Sequence, residues 1–309
     1  MKRFKNILFL ADRDKGLSAS LDRAVETAKT NGARLTVMDV TAEIGLADYI
    51  QRTYSVDLNA QLREQRMQFL ETLTQQYTDK GVPVYTTVAS GIPFIEVVRA
   101  VQRSAHDLVI KVAEHDRGLV SSLFGSTDMH LMRKCPCPVW IDRAGDEPAY
   151  QRILAAVDPF DDESGNLQRM ILDLATSLSE REHATLDVVH VWEMPGESML
   201  ANGRARISRT ELDLLLDATK TSHSEALDDL LSPYNLSTGS DNVHLLKGRP
   251  AQIISNFSSK QELDLIVMGT LGRVGIAGLF IGNTAEDVLR EAQTAVLTVK
   301  PDGFVTPVQ

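Results

Sequence analysis

The sequence predicts an α/β protein built from two tandem doubly wound domains, each a five-stranded parallel sheet flanked by helices. Three observations carry that expectation. The chain has 309 residues, which suits two domains of about 150 residues each. Its two halves open alike and close alike, so the repeat is domain-sized. In both halves, unbroken apolar runs alternate with stretches of helical periodicity, the pattern of parallel strands joined by helical crossovers.

The elements follow in order. Phe4-Lys-Asn-Ile-Leu-Phe-Leu-Ala-Asp12 parallels Gln151-Arg-Ile-Leu-Ala-Ala-Val-Asp158, each an apolar run ending in aspartate, as a strand buried on both faces requires. Leu21–Lys29 and Leu167–Leu178 carry apolar residues at helical spacing, and the strands Arg34–Val40 and Thr185–Trp192 come next. The amphipathic stretches Leu58–Lys80 and Arg209–Leu231 lead to third strands at Val82–Ala89 and Asn242–Lys247. Ser90-Gly-Ile-Pro93 matches Lys247-Gly-Arg-Pro250, where glycine permits a tight strand exit and proline suits a first helical turn. Fourth strands are expected at His106–Ile110 and Leu263–Met268, final helices near Met129–Arg133 and Ala285–Glu291, and last strands at Pro138–Ile141 and Val296–Val299. The domains are therefore placed at 1–144 and 151–301, with a polar linker within Asp142–Tyr150 and a tail at 302–309.

Composition limits the function. A hydrophobic share of 43% and a charged share of 24% are ordinary for a globular chain. The formal net charge of −10 argues against nucleic acid or an anionic membrane as partner, because either needs a basic surface. Ile7–Ala11 is too short for a signal segment and no apolar run spans a bilayer, so a cytoplasmic location is expected. Cys135 and Cys137, in Cys-Pro-Cys-Pro, are read as reduced. With His106, His115 and His130 they could be considered for zinc, but they lack a recognised ligand spacing.

The chemistry concentrates in the second half. Gly269 closes the fourth strand, Gly272 follows, and Gly282-Asn283-Thr284 opens the last helix. In open α/β sheets the ligand crevice lies outside the carboxyl ends of the strands, at the switch point. Residues without side chains there admit an anion to backbone amides, and the helix N-terminus favours it further. The bland alternative is that the glycines only shape a loop and Asn283 or Thr284 caps the helix.

The spacing Gly-x2-Gly-x9-Gly in this strand context resembles the ATP-binding motif of the universal stress protein family, an adenine-nucleotide α-hydrolase-like fold. The tandem layout, His106-Asp-Leu-Val, Leu131-Met-Arg-Lys-Cys-Pro-Cys-Pro-Val-Trp140 and Gly269-Thr-Leu-Gly-Arg-Val-Gly-Ile extend the resemblance over nearly the whole chain. It implies that Asp158 lies near ribose or adenine, Val191 near the base, and Gly269, Gly272, Gly282 and Asn283 at the phosphates, with Thr284 adjacent. The family pattern has serine or threonine after the last glycine; here that position is Asn283, which leaves a hydroxyl only at Thr284.

The first half has lost the pattern. Val112 stands where the second half has Gly269, and His115 where it has Gly272, although Gly125-Ser126-Thr127 survives. A β-carbon at either place obstructs a phosphate. Val112, Leu119, Leu123 and Phe124 replace small residues with apolar bulk, either as core or for a more apolar ligand.

No Gly-x4-Gly-Lys-Ser/Thr and no supported catalytic triad is present. The leading expectation is a stress-response sensor or regulator that binds ATP in its second half with little or no catalysis. A slow ATPase is the alternative, with Arg273 on a phosphate and Asp158 helping to hold magnesium; a non-enzymatic scaffold is the third. The resemblance also implies that the edges Val139–Ile141 and Val296–Val299 pair the two halves as an intramolecular pseudo-dimer, with a homodimer and a regulatory protein partner as further associations.

Overall fold

The computed structural model describes residues 3–12, 17–78, 82–114, 124–143, 149–160, 166–201, 207–270 and 282–309. Two compact units emerge: the described residues of Met1–Ala149 with Gln293–Gln309, and those of Tyr150–Gly275 with Ile281–Ala292.

In the first unit the order is β1 (Asn6–Leu10), α1 (Ser18–Asn31), β2 (Arg34–Thr41), α2 (Ala47–Tyr54), α3 (Leu58–Thr78), β3 (Val84–Ser90), α4 (Pro93–Ser104), β4 (Leu108–Val112), α5 (Ser126–Lys134) and β5 (Val139–Asp142). The strands are parallel in the order β3-β2-β1-β4-β5. Ile7, Leu8, Phe9 and Leu10 are wholly enclosed, which is why the sequence shows no polar alternation there: helices cover both faces. Gly32, at φ +61°, ends α1 in the left-handed conformation and returns its amide to the Ala28 and Lys29 carbonyls.

The second unit repeats the plan with β6 (Arg152–Ala156), α6 (Asn166–Glu182), β7 (Thr185–Trp192), α7 (Glu197–Ala201), α8 (Arg209–Leu231), a 3-10 turn (Ser232–Tyr234), β8 (Val243–Lys247), α9 (Pro250–Lys260), β9 (Leu265–Gly269) and α10 (Asn283–Glu291). Its parallel order is β9-β6-β7-β8. Ser208 starts α8 with a reciprocal cap, its Oγ accepting from the Glu211 amide at 3.2 Å while Glu211 Oε2 accepts from the Ser208 amide at 2.7 Å. Pro93 and Pro250 both open their helices. The last strand, β10 (Ala295–Val299), is counted with the first unit, where it runs antiparallel to β5 with Leu297 opposite Trp140.

The repeated Asp-Leu pair acquires a physical reason. Asp107 accepts from the Lys5 and Asn6 amides at 2.6 and 3.0 Å, and Asp264 accepts from the Gln151 and Arg152 amides at 2.7 and 2.9 Å. Each carboxylate ties the start of its domain's first strand to the start of its fourth. Among the described residues, the sequence periodicity misses the short helices α2 and α7 and the 3-10 turn, which are too brief to show a clear helical stripe. Each parallel sheet reverses direction beside its first strand, so the crevice to inspect lies beyond β1 and β4 in the first unit and beyond β6 and β9 in the second.

Candidate functional site

In the second unit, strand register assembles the expected residues. Ala156 pairs with Val189 on one side and Met268 on the other, so two residues further on Asp158, Val191 and Thr270 stand level. The Gly282 amide donates to the Thr270 carbonyl at 2.8 Å, which pins the start of α10 to the end of β9. Asp158, Val191, Gly269, Gly282 and Thr284 thus gather at one end of one sheet. Gly272 and Arg273 lie outside the described residues, as does the side chain of Asn283.

The local contacts refine each role. A β-carbon on Gly269 would stand 3.2 Å from Leu167 Cδ2, so the missing side chain admits α6 against the strand. The Asp158 amide donates to Gln168 Oε1 at 2.9 Å, and the Asp158 carboxylate accepts from the Phe160 amide at 3.1 Å, closing the turn after β6. Thr284 is exposed in the first turn of α10. The nearby acid Glu286 is paired with Arg290 at 2.7 Å, which reduces its repulsion of any anion at that helix start.

Beside Asp158 lies an aromatic group that sequence reading did not single out. The buried His190 ring donates from Nδ1 to the Val157 carbonyl at 3.1 Å, which leaves its Nε2 to accept from His223 Nδ1 at 2.8 Å. Phe160 meets the edge of His223 at 4.7 Å between centroids, and Trp192 stacks on it at 5.9 Å. Lys247 approaches the Trp192 ring to 5.7 Å and pairs with Glu197 at 2.6 Å. No spacing motif announces the pair, because one histidine is on a strand and the other on a helix two elements later.

The corresponding place in the first unit is filled with charge. Lys111, wholly buried at the end of β4, donates to Asp128 Oδ1 at 2.5 Å, meets Asp12 Oδ2 at 3.2 Å and donates to the Val112 carbonyl at 2.9 Å. Asp128 Oδ2 accepts from the Glu114 and Gly125 amides at 2.9 and 3.0 Å. Glu114 reaches the start of α5, where its Oε1 accepts from the Thr127 amide at 2.9 Å. A β-carbon on Gly125 would lie 1.5 Å from Glu114 Oε2, so the glycine is occupied by the chain's own carboxylate. Burial pushes the Asp12 carboxyl above its usual value, against the opposing pull of Lys111. For Lys111, burial lowers the ammonium, but Asp128 and Asp12 outweigh it and hold it above its ordinary value. Val112 is buried in β4 as the sequence suggests, while His115, Leu119 and Leu123 lie outside the described residues and Phe124 is buried.

Among the described residues, no three His, Cys, Asp or Glu side chains gather as a metal site. None of the described helices is long and apolar enough to cross a membrane.

Two doubly wound units, each with its crevice beyond the first and fourth strands, define the class. The universal stress protein family pattern matches residues 3–143 and again 149–300, and the chain belongs to that family as a tandem protein. It is 28% identical to universal stress protein E of Escherichia coli (strain K12), the alignment covering 100% of this chain and 98% of the relative. The same protein of Photorhabdus laumondii is 25% identical, with 100% and 99% covered. Among solved structures, a universal stress protein from Pseudomonas aeruginosa UCBPP-PA14 superposes with a TM-score of 0.75 at 23% identity, covering 98% of this chain and 95% of that one. One from Archaeoglobus fulgidus gives 0.65 at 17% identity, with 96% and 98% covered. These two likenesses speak to the fold.

Proposed function

We propose that the protein is a stress-response sensor or regulator that takes ATP in its second half and leaves the first half without nucleotide. The observation that supports this most is the level grouping of Asp158, Val191, Gly269 and the Gly282 start of α10 beyond β6 and β9. A helix start at a sheet switch point is where a polyphosphate is best held, by outward amides and by the helix dipole. The residues fit such a group: Thr284 offers a hydroxyl, Glu286 is neutralised by Arg290, and Gly272 and Asn283 complete the motif in sequence. In this reading the base would lie against Val191 and the Phe160–His223 pair, with Asp158 near the ribose or adenine, which the register of Val191 and the ring contact support. Magnesium would be carried by the polyphosphate, which suits a cation that keeps most of its waters, with Asp158 as the charged group of this chain that could help to hold it.

In this reading occupancy changes the chain's surface toward a regulatory partner, and catalysis is slight. The test is a thermal melt with and without ATP. A ligand bound only to the folded state raises its stability by RT ln(1 + [L]/Kd), about 2.7 kcal/mol at a hundredfold excess over Kd. The gain is expected in the wild type and absent in Gly272→Val. An equal ATP shift in both proteins, or none in the wild type, would remove the assignment.

A further inference from the structure

The Cys-Pro-Cys segment belongs to the first unit and not to the nucleotide site proposed for the second, and its surroundings are unusual. Cys135 ends α5, donating its amide to the Leu131 carbonyl at 2.9 Å, and Cys137 stands two residues before β5. The chain bends between them so that the two Sγ atoms lie 3.5 Å apart. Thr298 of β10 pairs with Val139, and the antiparallel register carried two residues further brings Lys300 alongside Cys137. Lys300 is buried, donates to the Met132 carbonyl, and has its ammonium 5.1 Å from the centre of the Phe304 ring.

A buried cysteine is ordinarily an inert small apolar residue. A buried lysine is not ordinary, since removing an ammonium from water is costly. Here burial pulls Lys300 down to about 7, with the two sulfur charges pushing the other way. Burial raises the Cys135 thiol, but hydrogen bonds from the Cys137 side chain and backbone, and then the charge of Lys300, hold it below the usual value. Cys137 is pushed well up by the hydrogen bond its side chain makes with Cys135 and by burial. The cluster thus brings two sulfurs together beside a buried lysine, and Cys135 is the more readily ionised of the two thiols.

We propose that Cys135 and Cys137 form a dithiol oxidised to a disulfide by hydrogen peroxide, with Cys135 as the attacking thiolate, Cys137 as the resolving thiol and Lys300 as the proton donor. Cys135 is wholly enclosed and Cys137 is 9% exposed, so the oxidant must be small and must enter as the segment opens locally. Cys135 Sγ attacks one peroxide oxygen, the O–O bond breaks, and the departing hydroxide takes a proton from the Lys300 ammonium and leaves as water. Cys135 is then a sulfenic acid. Cys137 Sγ attacks Cys135 Sγ, the S–O bond breaks, and the second hydroxide takes the Cys137 thiol proton. The two sulfurs lose two electrons, the two peroxide oxygens gain them, and two waters are released. Lys300 ends neutral, the form its burial favours.

The reaction is tested on the reduced full-length chain, treated with hydrogen peroxide, quenched, denatured and alkylated before peptide mass measurement. The peptide containing Cys135 and Cys137 is expected to lose two hydrogens and take no alkyl group, and to regain both thiols with dithiothreitol. Lys300→Met is expected to oxidise about tenfold more slowly through loss of thiolate and proton donor. Cys137→Ser is expected to stop at a sulfenic acid on Cys135 that dimedone captures, and Cys135→Ser to show none at Cys137. Full alkylation of both cysteines after peroxide would overturn the proposal. So would oxidation of Cys135 beyond sulfenic acid without a disulfide, dimedone capture at Cys137 instead, or an unchanged rate in a folded Lys300→Met protein. If Lys300→Met does not fold, the serine variants decide the matter alone.

Discussion

The two halves meet the same problem at the same place and solve it with opposite chemistry. The amides at the start of the last helix and the polar ends of the first and fourth strands need an anion, a hydrogen-bond partner or water. In the first half the chain supplies the anion itself: Glu114 accepts from the Thr127 amide and covers Gly125, while Lys111 balances Asp12 and Asp128. At the matching positions of the second half, Lys111 becomes Met268 and Asp128 becomes Ala285, both buried, and Glu114 becomes Leu271. The exchange is concerted, as it must be, because a lone buried charge is far more costly than a buried pair or an apolar pair. One copy of a duplicated fold can thus meet those needs with groups from its own chain.

The sharpest way to break this comparison is Lys111→Met, which gives the first half the second half's residue without its partner. Three acids near the crevice, Asp12, Asp128 and Glu114, then lose their cation, and a loss of about 3–5 kcal/mol in denaturant unfolding is expected. Adding Asp128→Ala should recover part of it, though the Glu114 and Gly125 amides lose their acceptor. If the double variant is no better than the single, the pairing is not what Lys111 contributes.

Gly125→Ala tests the self-filled crevice directly. The new methyl collides with the Glu114 carboxylate, so the chain must shift at a cost of about 1–3 kcal/mol. In a Glu114→Ala background the same change should cost far less. A double-mutant cycle measures this coupling, and additive effects would show that the carboxylate does not cover the glycine.

Glu114→Ala alone removes a cap on α5 and is expected to cost about 1 kcal/mol, read from the denaturant midpoint at constant slope.

The smallest effect is a pH dependence at Asp12. Burial, opposed by Lys111, raises its folded-state carboxyl above 3.8. A raised acid contributes stability that is present below the unfolded value and lost as pH rises through the folded one. The melting temperature of Asp12→Asn relative to wild type should therefore become more positive as pH rises from acid to neutral. A difference that stays flat across that range would mean that Asp12 titrates normally.

Much of the fold was legible because its signals are local. The strands that helices cover on both faces wrote themselves as runs such as Ile7–Leu10 and Leu265–Met268, and the long helices as apolar stripes; thus Thr185–Trp192 and Arg209–Leu231 match their predicted ends. The glycines and the Asp-Leu pair were visible as motifs, although the reason for Asp107 and Asp264, a tie between strands a hundred residues apart in sequence, was not. The His190–His223 pair and the placing of Lys300 beside the Cys-Pro-Cys segment escaped because nothing in either residue's neighbourhood points to its partner.

The sequence by itself determined a duplicated α/β chain, because hydrophobic period and chain length survive in a single string, and its glycine motif and tandem layout resemble the universal stress protein family. The tertiary structure alone decided that the first half has filled its crevice with its own charged groups. Lys111, Glu114 and Asp128 are unremarkable charges along the chain, and only the meeting of β1, β4 and α5 out of water turns them into a network in which no member can change alone.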